Sequence, residues 1–136
     1  MYDTILVPVD GSDAANRATE HAISLASTFD ADLHALYVID TRRYGSSALR
    51  DSEAILEDLE QTGQSVLEDV VQRAAVDVTT EMRRGRPHEE IDGYADEIDA
   101  DLIVLGNRGL GAPAGGEIGS VAERVVRFVG RPVITA

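Results

Sequence analysis

After the apolar run DLIVL at 101–105 the chain reads GNRGLGAPAGGEIGS. Gly106, Gly109, Gly111, Gly115, Gly116 and Gly119 fall within 14 residues, and Ser120 follows directly. Glycine adopts positive φ freely and lets a ligand come close to the main chain. A helix opening at Gly119 or Ser120 presents unpaired N–H groups and the positive end of its dipole, which together form an anion site. Ser120 adds a hydroxyl donor at the same place. Two other readings compete. The stretch is a flexible connection, or Gly109 to Ala114 is the G-x-G-x-x-A fingerprint of a dinucleotide site. The fingerprint fits poorly, because it should open a helix directly and Pro113, Gly115 and Gly116 stand where that helix would run.

Other residues with chemical potential read more simply as structure. Asp10 ends an apolar run, as in a phosphorylatable receiver pocket, but that pocket also needs a second acid, an Asp ending the third strand and a Lys. Arg83-Arg84-Gly85 stands at the third-strand end, and the chain contains no Lys. His21, His34 and His88 show no H-x-x-x-H spacing, so packing or surface roles are expected rather than metal or base roles. Ser12 lacks a G-x-S-x-G elbow and is read as a helix N-cap. Arg42-Arg43 and Arg83-Arg84-Arg86 are read as partners of nearby carboxylates. The alternative for the second group is a phosphate contact from the loop after the third strand. Without Lys, the phosphate-loop NTPase, protein-kinase and Schiff-base chemistries are excluded in their standard forms. Without Cys, so are disulfides, thiolate nucleophiles and Cys-zinc sites.

The segments that must position these residues alternate in character. Residues 3–9 (DTILVPV), 32–39 (DLHALYVI) and 101–105 (DLIVL) are apolar runs of the kind found in strands covered on both faces. Residues 76–83 alternate like an edge strand, and 132–135 (PVIT) form a short last strand. Between them, Ala15, Ala18, Ala22, Leu25, Ala26 and Phe29 mark an amphipathic helix over 14–29. Ile55, Leu59, Val66, Val70 and Ala74 mark a second over 51–75, which carries Gly63 at some cost. Pro87 opens a short helix to Ile98, and a last helix carries Val121, Val125 and Phe128. Residues 40–50 read as a polar loop. This β-α alternation predicts one α/β domain over 1–136, a doubly wound five-stranded parallel sheet of Rossmann-like type. Ligands of such sheets bind beyond the carboxyl ends of the strands, here after Val9, Ile39, Arg84 and Leu105.

Composition narrows the partners. The 136 residues include 25 acidic and 12 basic side chains, a formal net charge of −13. So negative a surface repels phosphate backbones and anionic lipid, so neither nucleic acid nor a membrane is expected as a partner. It also suits a halophilic-type protein kept soluble in concentrated salt, where carboxylate repulsion is screened within ~3 Å. No apolar run approaches the ~20 residues that span a bilayer, and the start, Met1-Tyr2-Asp3-Thr4, lacks a basic leader segment, so a cytoplasmic protein is expected.

The runs ILVPVDGS, LYVID, ADLIVLGNRG and GSVAERVVRFVGRPVI resemble landmarks of the universal stress protein family over essentially the whole chain. The most specific is the spacing G-x2-G-x9-G-S, formed by Gly106, Gly109, Gly119 and Ser120, which is similar to the mark of the family's ATP-binding branch. The resemblance implies the adenine nucleotide alpha hydrolase-like fold with strand order 3-2-1-4-5. It implies a site for ATP, ADP or AMP, with Mg accompanying the phosphates and no metal held by the protein alone. Carried over by position, Pro8, Val9 and Asp10 would line base and ribose, with Asp10 accepting from the ribose hydroxyls. Val38 would meet the adenine edge through its backbone. Gly106 and Gly109 would let the chain approach the phosphates, Arg108 would be the nearest cation, and Gly119, Ser120 and Val121 would present the helix N-terminus.

The insert LGAPAGGEI at 110–118 departs from relatives that hold triphosphate, because it has no basic residue and carries Glu117 near the phosphate position. Modest affinity and little preference for triphosphate are therefore expected. The resemblance also implies a homodimer in which strand 132–135 pairs with its copy. A stress-response regulator is the leading expectation, with no catalytic residues assigned. A slow ATPase or phosphotransferase and a nucleotide-free interaction module are the alternatives.

Overall fold

Along the first strand, side chains alternate between two buried faces. The computed structural model describes residues 2–41, 52–107 and 120–136. In chain order the elements are β1 (Thr4–Pro8), α1 (Asp13–Phe29), β2 (Asp32–Asp40), α2 (Ser52–Arg73), β3 (Val78–Gly85), α3 (Pro87–Ile98), β4 (Leu102–Leu105), α4 (Ser120–Phe128) and β5 (Val133–Thr135). The strands form one parallel sheet in the order β3-β2-β1-β4-β5, as the resemblance implied.

Ile5 and Val7 of β1 face α1 and α2, together with Leu33, Ala35, Leu102 and Val104. Leu6 faces the opposite side with Leu36, Ile103 and Leu105, under Ile91 and Tyr94 of α3 and Val125 of α4. Both faces being covered explains why the central strands read as unbroken apolar runs. Ala18, Ala22 and Ala26 form the buried stripe of α1, and their small side chains let the helix lie close to the sheet. Ser12 caps α1 as expected, its Oγ accepting from Ala15 N–H at 3.1 Å.

Gly63, costly in a helix, has a packing reason. A Cβ there would stand 2.6 Å from Tyr37 Cδ1 and 2.8 Å from Met82 Cε, so α2 needs a glycine where it crosses β2 and β3. Phe128 stands apart from the other apolar residues named on α4. The residues of α4 and its exit that bury against the sheet are Ala122, Val125 and Val129, while Phe128, about a quarter turn from Val129, is 66% exposed. Phe29 is also partly exposed and packs edge-on against Tyr2, with ring centroids 5.2 Å apart.

Two long-range ties close the end of the sheet where β1 and β4 begin. Asp101 Oδ2 accepts from the backbone N–H of Asp3 at 2.8 Å and of Thr4 at 2.9 Å. Arg131 donates to the Ala100 carbonyl at 2.6 Å and pairs with Asp96 and Asp99, which fastens the entry to β5 onto the end of α3. Among the described residues no helix is long and apolar enough to cross a membrane.

Candidate functional site

Parallel pairing brings the carboxyl ends of all the strands to one side, and the expected site residues divide between those the structure describes there and those beyond its described residues. Pro8 pairs with Leu36 at the end of β1, and Val9 N–H continues the ladder by donating to Leu36 O at 2.8 Å. Strand β2 runs on past that point through Val38 to Asp40. Val38 therefore stands beside the Val9–Asp10 turn, half-buried and on the face covered by α3 and α4.

The turn after β1 is rigidly built. Asp10 Oδ1 accepts from Ser12 N–H at 2.8 Å. Gly11 takes φ +84°, where a side chain would be strained, and packs against Val66 of α2. With Ser12 capping α1, three successive residues each have a fixed role, so the half-buried Asp10 carboxyl group is held in one orientation.

Gly106, just past the end of β4, lies against the first turn of α1, directly after this turn. A Cβ on Gly106 would lie 2.7 Å from both Ala14 C and Ala15 N, the backbone of the first turn of α1. The main chain of the glycine-rich stretch thus starts in contact with the helix that Ser12 caps. Asn107 N–H donates to Ala136 O at 3.0 Å, and Ala136 N–H donates to Leu105 O at 3.0 Å, which carries the β4–β5 ladder to its end. Among the described residues Asn107 Oδ1 is buried with no hydrogen-bond partner. A buried acceptor without a donor is costly. No sequence signal pointed to Asn107 beyond its place inside GNRG.

Ser120 begins α4 and Val121 is half-buried against the α3 face. The first turn of α4 follows β4, the neighbour of β1, so its free N–H groups belong to the same end of the sheet as Asp10. Arg108, Gly109 and Gly119, the insert 110–118 with Glu117, the Ser120 side chain and residues 42–50 of the polar loop lie outside the described residues.

The remaining candidates take structural roles. Arg83 pairs with Glu81 at 3.1 Å and with Glu97, Arg84 pairs with Glu60, and Arg86 approaches Glu89 at 3.9 Å. These pairs fit the reading of this Arg group as partners of carboxylates. His21 is exposed on α1, and His34 Nδ1 lies 3.0 Å from the Tyr94 hydroxyl. Among the described residues no three His, Asp or Glu side chains gather as metal ligands.

The pattern of the universal stress protein family matches residues 1–135. A universal stress protein of Methanocaldococcus jannaschii is 40% identical over 138 residues, covering 98% of this chain and 81% of that protein. Among solved structures, universal stress protein UspA from Lactobacillus plantarum is 34% identical with a TM-score of 0.88, over 98% of this chain and 97% of that one. A universal stress protein solved in complex with cAMP is 27% identical with a TM-score of 0.71, over 99% and 96% of the two chains. One from Archaeoglobus fulgidus, in complex with dAMP, is 26% identical with a TM-score of 0.71, over 98% and 97%. A relative so similar over nearly the full length, together with the family match, leaves one conclusion: the chain belongs to the universal stress protein family.

Proposed function

We propose that this protein binds an adenine nucleotide across the carboxyl ends of β1, β2 and β4, and acts as a stress-response regulator rather than a fast enzyme. The observation that carries the reading is the close approach of Gly106 to the first turn of α1, where a Cβ would lie 2.7 Å from the backbone, directly after the Asp10 turn. With β1 and β4 adjacent in the sheet, the Asp10 turn and the start of the glycine-rich chain share one end of it. The fold, shared with relatives solved with cAMP and dAMP, supports the same ligand class. In this reading Pro8, Val9 and Val38 hold the base, Asp10 the ribose, and Gly106, Gly109, Gly119, Ser120 and Val121 the phosphate end, with Arg108 as the nearest cation.

Backbone and hydroxyl donors at ~1.5–3 kcal/mol per bond to a charged group reach the ~8 kcal/mol of micromolar binding with three or four bonds. The insert supplies no cation to reward a γ-phosphate. Calorimetry is therefore expected to give micromolar affinity, with AMP within about tenfold of ATP. Nanomolar ATP with AMP a hundredfold weaker overturns the selectivity. Failure of every adenine nucleotide to bind, with none released on denaturing the purified protein, would favour the nucleotide-free interaction module.

Catalysis is assigned no residue. No Lys is available to the phosphates, and the Oδ1 of Asp10, the one candidate base at the turn, already accepts a backbone N–H. Product accumulating from ATP over hours, abolished by Asp10→Ala, would favour the enzymatic reading.

We also read the protein as a cytoplasmic homodimer paired through β5. Strand β5 is a sheet edge, and Val133 and Ile134 are only half-buried there. An edge left open invites a second copy. Ile134→Asp is expected to convert a dimer into a monomer in sedimentation, and an unchanged sedimentation coefficient refutes the pairing.

A further inference from the structure

Helix α3 is weakly stabilised by its own sequence. It has 12 residues, and its N-cap, Arg86, makes no side-chain cap hydrogen bond. Gly93 is exposed in its interior, with nothing within 4 Å of a Cβ built there. A helix of this length is marginal alone, and glycine weakens it further. Its hold on the sheet comes from Ile91, Tyr94 and Ala95, the residues it buries. Tyr94 is the one of these three with a polar attachment. Its hydroxyl lies 3.0 Å from His34 Nδ1 on β2, the two rings meet edge-on at 5.9 Å, and the Arg83 guanidinium sits 4.8 Å from the centre of the Tyr94 ring.

We infer that the His34–Tyr94 bond is an acid-released latch, which holds α3 on the sheet while His34 is neutral and frees it when His34 takes a proton. Neutral His34 with its proton on Nε2 accepts the Tyr94 O–H at Nδ1. An imidazolium donates from both nitrogens, so that bond must reverse and the phenolic proton loses its acceptor. The new cation also stands edge-on to a ring that already carries Arg83.

Among the described residues, the groups around His34 offset this charge only in part. On its own strand Asp32 favours the protonated form. From β3, Glu81 is bound to Arg83, and from α3, Glu97 is bound to the same Arg83. Further along α3, Asp96 and Asp99 are held by Arg131. On β1 and β4 the registered neighbours are Leu6 and Ile103, both apolar. Burial outweighs Asp32 and keeps the His34 pKa below the ordinary histidine value. The sign follows. The latch is intact above the ordinary value of about 6.5, and its contribution is lost as pH falls from there through the lower folded value.

The test is hydrogen exchange between pH 7.5 and 5.5, corrected for intrinsic exchange, with an NMR titration of the His34 ring. Amides over 91–98 are expected to lose several-fold in protection, while those over 18–26 of α1 hold steady. His34→Asn, whose Oδ1 takes the place of Nδ1, should keep α3 protected at both pH values. Tyr94→Phe should start at pH 7.5 with lowered protection. If His34 titrates at or above 6.5 in the wild-type protein, the latch is refuted, whether or not the variants fold. Equal loss over α1 and α3, or the same acid response in His34→Asn, also refutes it.

Discussion

Gly106→Ala is expected to cost about 3 kcal/mol of stability and to lower the melting temperature by about 10 °C. The methyl group would stand 2.7 Å from Ala14 C and Ala15 N and 2.9 Å from Ala14 Cβ. Two of those three atoms are backbone, in the first turn of a helix pinned by the Ser12 cap at one end and by fully buried Ala18, Ala22 and Ala26 along its length. A flexible side chain could swing away at little cost, but this turn can move only by taking α1 off the sheet. Overpacking against rigid structure costs 1–3 kcal/mol or more. Gly93→Ala is the paired control: it is exposed inside α3, meets nothing within 4 Å, and should gain about 0.5–1 kcal/mol. Thermal unfolding of the two variants beside the parent checks the contrast. A Gly106→Ala melting point within two or three degrees of the parent would show that α1 yields, and that the junction is softer than its geometry requires.

This expectation also separates two reasons for one glycine. The family resemblance explains Gly106 by the approach of phosphates. The structure adds a reason within the fold, because the strand end must come close to α1 before any ligand arrives.

Where the sequence was informative, local physics and tertiary packing agreed. Ile5, Leu6 and Val7 are all apolar because the sheet is covered on both faces, and no other arrangement uses three such residues in a row economically. Ser12 was legible as a cap because capping is decided within three residues. Residues whose roles depend on distant partners were not legible. Asp101 binds amides 97 and 98 positions away, and Arg131 binds a carbonyl 31 positions away. Their types alone look like surface charge. The exposure of Phe128 was not legible for a related reason: the spacing of Val121, Val125 and Phe128 is helical, but which flank meets the sheet depends on where α4 docks. At the site, Asp10 and Gly106 were marked by motif, whereas Asn107 shows its significance only as a buried acceptor lacking a donor among the described residues.

Asp10→Asn should separate the fold of the β1–α1 turn from its proposed ligand role, where Asp10→Ala would damage both. Through Oδ1 the carboxylate accepts from Ser12 N–H at 2.8 Å. Asparagine keeps a carbonyl oxygen for that bond, so Gly11 and the Ser12 cap should hold, and stability should stay within about 1 kcal/mol of the parent. What asparagine lacks is the second anionic oxygen, and in its place it carries an NH2 donor. A ribose hydroxyl that donated to the carboxylate then faces a donor. Losing a hydrogen bond to a charged group, worth ~1.5–3 kcal/mol, should weaken AMP and ATP alike by about 10- to 100-fold. The equal effect on both nucleotides is the informative part, since a group that contacts ribose cannot sense the phosphate count. Calorimetry with AMP and ATP on the same preparation reads both numbers. If the variant binds AMP as the parent does, Asp10 belongs to the turn alone and the ribose contact lies elsewhere. If only ATP weakens, the carboxylate faces the phosphate end, and the orientation assigned to the nucleotide is reversed.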